Sequence, residues 1–146
     1  METPATKPYT FSPTGFEKID AHHAKIGHLL RKAGRALDAH LENPTSASES
    51  LIRNILTMIL MFVDMHFFME ERLMGETHYP LEFRHTMGHD MIREELNQLQ
   101  GQLLVERVNA VWLKKIMIDL IPSLLKSEDD RALSEFLNQR GKDVRA

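Results

Sequence analysis

The chain has no cysteine, which excludes disulfides, thiolate zinc sites and cysteine nucleophiles and leaves any metal to nitrogen and oxygen ligands. Positive charge is not in excess either. A formal net charge of -3 gives no basic footprint for nucleic acid or an anionic membrane surface, so no partner of either kind is expected. Seven glycines and six prolines are too few for a fibrous or low-complexity chain. Long hydrophobic runs are missing too. The longest apolar-rich run, Ile55 to Val63, is bounded by Asn54 and Asp64 and falls short of the roughly 20 residues a spanning helix needs. It reads as a buried helix segment, and no membrane span is expected. Met1-Glu2-Thr3-Pro4 lacks the basic region and apolar run of a secretory signal, so a cytoplasmic location is expected.

What is present is the balance of a soluble globular protein, 42% hydrophobic and 27% charged over 146 residues. That length suits a single domain with one real core. Pro4, Pro8, Pro13 and Gly15 predict an irregular arm over 1–15 that could dock Tyr9, Phe11 and Phe16. From Glu17 to His40, Ile19, His23, Ile26, Leu30, Ala33 and Leu37 recur at alternating spacings of four and three, one face of an amphipathic helix. Asn43-Pro44-Thr45-Ser46 breaks it, and Ser48, Glu49 and Ser50 offer capping chemistry for a second helix over about 48–74, closed by Gly75. Tyr79-Pro80 opens a third, with the stripe His85, His89, Ile92, Leu96, Leu99 and Leu103. A fourth is expected over about 108–127, kinked at Pro122, continued or followed by a short C-terminal helix over about 128–140 that ends before Gly141. The expected fold is all-α, an antiparallel up-down four-helix bundle over about 17–127, with the arm and the short C-terminal helix added.

The core stripes carry the chemistry. On the second helix His66 and Glu70 are four residues apart, and on the third His85 and His89 are four apart, so each pair projects from one face. With His23 they stand where Leu or Ile is otherwise found, and unpaired polar groups there would cost several kcal/mol each. A single core histidine is ordinarily satisfied by a carbonyl or a neighbour. Imidazoles and a carboxylate aimed inward from three helices need several such coincidences, whereas a shared metal needs one. Imidazole and carboxylate without thiolate suit iron, manganese or zinc.

In chain order, Ile19-Asp20-Ala21-His22-His23, then His66-Phe67-Phe68-Met69-Glu70-Glu71-Arg72-Leu73-Met74, then Tyr79-Pro80 with His85-Thr86-Met87-Gly88-His89 resemble the successive signatures of bacterial hemerythrins, over roughly Tyr9 to Gly141. The resemblance implies two non-haem iron ions bridged by carboxylates and an oxo or hydroxo group. It puts His23 and His66 on one iron, His85 and His89 on the other, and Glu70 between them. In the family a last helix adds a histidine to the second iron and, five residues on, a bridging aspartate. The stretch Glu135-Phe136-Leu137-Asn138-Gln139-Arg140-Gly141 resembles the family's closing segment. Counting back from it puts the aspartate at Asp130 and the histidine at Leu125. Asp129 and, further off, Asp119 are the alternative carboxylates. Leu125 cannot ligate a metal, and no histidine follows His89.

The resemblance implies that Leu125 leaves both irons open to solvent or to exogenous ligands, or permits a mononuclear iron at His23, His66 and Glu70. A non-enzymatic protein that binds dioxygen or another small diatomic ligand, such as nitric oxide, for storage, delivery or sensing is the leading expectation. A sensor would act through a redox or signalling protein partner. The alternatives are an oxidase- or peroxidase-like iron enzyme using the extra open position, and a partly vestigial metal-binding bundle. Neighbours on a helix point about 100° apart, so His22 is read as peripheral or as a support to a ligand. His28 and His40 are read as solvated, and His78 as a loop substitute for the missing ligand. Met58, Met61, Met65 and Met69 read as adaptable core filler or a gas route, and Phe62, Phe67, Phe68 and Trp112 as plain core or a dry wall. Glu71 is a solvated or supporting carboxylate.

Overall fold

The structure is a computed structural model that describes residues 14–105, 109 and 128–145. Its elements are α1 (Glu17–Glu42), α2 (Ser46–Thr77), α3 (Glu82–Val105) and α4 (Glu128–Arg145), with no strand among the described residues. The all-α class is therefore observed. The helix expected over about 108–127, with Trp112, Asp119 and Leu125, lies outside the described residues, as do Tyr9 and Phe11.

No side chain of the preceding residue caps α1; Asp20, one turn in, instead ties the incoming backbone to the helix. Its carboxylate accepts from Thr14 N–H at 2.8 Å, Thr14 Oγ1–H at 2.7 Å and Gly15 N–H at 3.1 Å. Partial burial pushes the Asp20 carboxyl up, but these bonds hold it below its ordinary value. Gly15 sits at φ 93°, the left-handed region that favours glycine, and its carbonyl accepts from Asn138 Nδ2 at 2.9 Å. The end of the arm is thus tied to both α1 and α4, and Phe16 packs against the core as expected.

A capping box opens α2: Thr45 Oγ1 accepts from Ser48 N–H and Ser48 Oγ accepts from Thr45 N–H, each at 3.0 Å. Ser48 Oγ also bonds His40 Nδ1, and His40 is buried rather than solvated. Gly75 does not close α2. The helix runs on to Thr77 and ends at His78, which takes the left-handed cap conformation at φ 54° while Tyr79 N–H returns to Met74 O at 3.0 Å. Reversal at that point buries Tyr79, which a stop at Gly75 would leave out of register. At the other end of the chain, α4 passes through Gly141 to Arg145; one interior glycine costs only about 1 kcal/mol relative to alanine, too little to end a helix.

α2 packs along α1 and α3 and reaches α4. Two apolar clusters result. One joins Ile26 to Leu37 of α1, Ile52 to Phe67 of α2, and Leu96 and Leu99 of α3. The other joins Ile19, Met74, Tyr79, Leu133 and Leu137. Every core-stripe position of α1 is buried. The methionines of α2 depart from expectation: Met58, Met61 and Met65 face outward, and Phe68 is 67% exposed, because all four lie off the line through Val63, His66 and Glu70. By length and composition alone α2 could cross a membrane, a property that the interrupted run Ile55 to Val63 hides. His66 and Glu70 are fully buried on it.

Candidate metal centre

Between the two apolar clusters lies a polar layer. Its members follow from helical spacing: His23 falls one turn after Ile19 and one before Ile26 on α1, and His66 and Glu70 fall between Val63 and Met74 on α2. His85 and His89 precede Leu96 on α3, and Asp130 precedes Leu133 on α4. All six side chains are buried. The structure therefore brings together all six residues that the sequence nominated as metal ligands, from four helices.

Asp130 spans the layer. Its Oδ2 is 2.9 Å from His23 Nε2 and 3.8 Å from His66 Nε2, while its Oδ1 is 3.2 Å from His85 Nε2. Glu70 Oε1 is 3.1 Å from His89 Nε2, 3.4 Å from His66 Nε2 and 3.7 Å from His85 Nε2. Two overlapping groups emerge, one of His23, His66 and Asp130, the other of Glu70, His85, His89 and Asp130, with the ligand atoms of each within 4.8 Å of one another. Two donors each about 2.1 Å from a common ion stand about 3.0 Å apart at a right angle and about 3.4 Å apart at the tetrahedral angle. The observed separations centre on that range.

A purely hydrogen-bonded layer fits less well. His66 Nε2 and Glu70 Oε2 are buried with no hydrogen-bond partner among the described residues, and separations of 3.4 and 3.8 Å are too long for strong bonds. A cation between the two histidine pairs would satisfy both atoms. Burial pushes the Asp130 carboxyl up, yet the imidazoles of His23, His66 and His85 hold it far below the usual carboxylate range. For His85 burial works downward, and Asp130 and Glu70 outweigh it, lifting the imidazole to about 9. At neutral pH the His85 imidazole is therefore protonated and the Asp130 carboxylate ionised beside it.

Two of the imidazoles are oriented from behind. His89 Nδ1–H donates to Glu71 Oε2 at 2.8 Å, and Arg93, also 2.8 Å from that oxygen, is held in turn by Asp64 and Asp90 at 3.0 Å each. Phe67 stacks on His89 with ring centroids 4.0 Å apart. Glu71 is therefore a supporting carboxylate, which fixes the His89 ring and makes its Nε2 a stronger donor. Glu71→Gln is expected to weaken metal binding by about tenfold to a hundredfold, measured by calorimetric titration; unchanged affinity would leave Glu71 with a surface role only.

The second support is His22, whose Nδ1 lies 3.1 Å from His66 Nδ1. Its half-buried ring packs edge-on against Phe62. Burial and the neighbouring His66 both push the His22 imidazole down, towards the neutral form. Reading the α1 stripe alone misses this contact, because His22 is off that stripe; the available signal was the His22-His23 doublet, which spreads two imidazoles over adjacent directions. His28 and His78 are exposed, and neither belongs to the layer. Compared with family models, curated proteins and solved structures, the chain matches none of them.

Proposed function

We propose that this chain is a hemerythrin-like four-helix bundle that holds two iron ions in its polar layer and binds dioxygen or another small diatomic ligand there. The placing of Asp130 carries the reading: one carboxylate oxygen lies 2.9 Å from His23 and the other 3.2 Å from His85, as a bridge between two ions requires. In this reading His23 and His66 hold one iron and His85 and His89 the other. Glu70 and Asp130 would serve both. So few side-chain donors per ion would leave room for an exogenous ligand. Iron, when bound, supplies the redox-active centre. The chain's own part is to orient the donors through Glu71 and His22 and to seal the layer between apolar clusters. Storage, delivery or sensing in the cytoplasm would follow, a sensor acting on a redox or signalling protein.

One observation favours a second reading. His23 and His66 form a three-residue group with Asp130, in the place that the sequence reading gave to Glu70; two histidines and one carboxylate are the ligand type of non-haem Fe(II) oxygenases, and a mononuclear iron there suits oxidase or peroxidase chemistry. Loading with Fe(II) without air, counting the metal, then recording the visible spectrum as oxygen is added and removed separates the two. Two irons per chain and a reversible colour are expected. One iron with peroxide turnover supports the second reading, and no tight metal rejects both.

A further inference from the structure

We infer that His22 is a positioning residue: its Nδ1 accepts the Nδ1–H of His66 and fixes the tautomer that turns the Nε2 lone pair of His66 into the polar layer. The inference rests on the two-metal reading and deepens it. Two ring nitrogens 3.1 Å apart share a single proton, so one imidazole donates and the other accepts. Were His22 the donor, a neutral His66 would carry its proton on Nε2, and that buried N–H would occupy the position facing Glu70 and Asp130. With His66 as donor, Nε2 is a free lone pair.

The surroundings favour the second arrangement. His66 Nε2 makes no hydrogen bond among the described residues although two carboxylates face it at 3.4 and 3.8 Å; a protonated Nε2 would be drawn to them. His22 is only half-buried, so its own proton can reside on Nε2 without the cost that a wholly enclosed N–H would carry. The arrangement also repeats the logic at His89, whose Nδ1–H is taken by Glu71. Metal-binding histidines commonly donate the other ring N–H to an acceptor that fixes tautomer and orientation. Here the acceptor is a second imidazole, and it adds no negative charge. The edge-on contact with Phe62, 5.4 Å between centroids, and the contact of the His22 and His66 rings at 5.2 Å hold it in place.

Nitrogen-15 NMR of the imidazoles in the wild-type protein reads the tautomer directly. In the metal-free protein a proton on His66 Nδ1, with coupling across the hydrogen bond to His22 Nδ1, is expected; a proton on His22 Nδ1 overturns the inference. Zinc titration is the second arm. His22→Leu, which has no acceptor, is expected to lower zinc affinity by about tenfold or more, and His22→Gln, whose Oε1 can accept, to restore it to within about threefold. Normal zinc uptake by wild type with Leu and Gln variants alike rejects the role of His22 alone. No zinc uptake by wild type rejects the two-metal reading and this role with it.

Discussion

Asp130→Ala is expected to abolish tight binding of two metals and to cost the metal-free protein about 3–5 kcal/mol, the usual effect of removing one partner from a buried charged pair. Asp130 is 6% exposed and faces His23, His66 and His85, so alanine leaves buried imidazoles without the anion that compensates them. Against a typical total stability of about 5–15 kcal/mol the loss is large. Asp130→Asn keeps the shape while losing the charge, and is expected to fall between wild type and alanine in both measurements. Urea unfolding in the presence of a chelator measures the first effect and metal counting by calorimetry the second. Two metals bound as tightly by the alanine variant as by wild type would falsify the bridging role.

The second large effect is a reversal in pH dependence on metal loading. The His85 imidazole is raised from 6.5 to about 9 in the folded chain. Its contribution to stability is thus fully present below pH 6.5 and fades as pH rises through about 9. Asp130 is depressed from 3.8, so its contribution is present above that value and fades as pH falls below it. The metal-free protein is therefore expected to be most stable between about pH 4 and 6.5 and to melt at progressively lower temperature from pH 6.5 to 9. Metal ligands must be deprotonated to bind, so loading acts in the opposite sense. With zinc at a thousand times its dissociation constant, each site adds about 4 kcal/mol, and the gap between loaded and metal-free melting temperatures is expected to widen over the same pH interval. Parallel decline of the two curves would mark the layer as a charge network that does not take up metal.

Much of this was legible because it depends on spacing within one helix. The stripe Ile19, His23, Ile26, Leu30 fixed the buried face of α1, and the two four-residue pairs, His66 with Glu70 and His85 with His89, fixed what α2 and α3 point inward. Asp130 came from a register count along the closing segment, and its carboxylate lies in the layer. Features that depend on how one helix is rotated against another were out of reach. Glu71 and His22 lie beside ligand positions, but whether each meets a ring from another helix is decided by interhelical packing. The solvated reading of His40 missed a partner eight residues away across a turn. The methionines misled because an apolar residue type does not specify its face: Met69 is half-buried against the lower cluster, whereas Met61 is 68% exposed.

The two apolar clusters share no member, and Leu133 and Leu137 of α4 belong only to the one that holds Ile19 and Met74. Asp130 is the α4 side chain that belongs to both candidate ligand groups. That makes the carboxylate a latch. Removing it leaves α4 held by Leu133, Leu137 and Phe136 and by the Asn138 bond to Gly15, so its loss is felt at the layer before it is felt in the seating of the helix. The histidines on α1, α2 and α3 rest on their own packing and supports, so one carboxylate decides whether the fourth helix takes part in the layer at all.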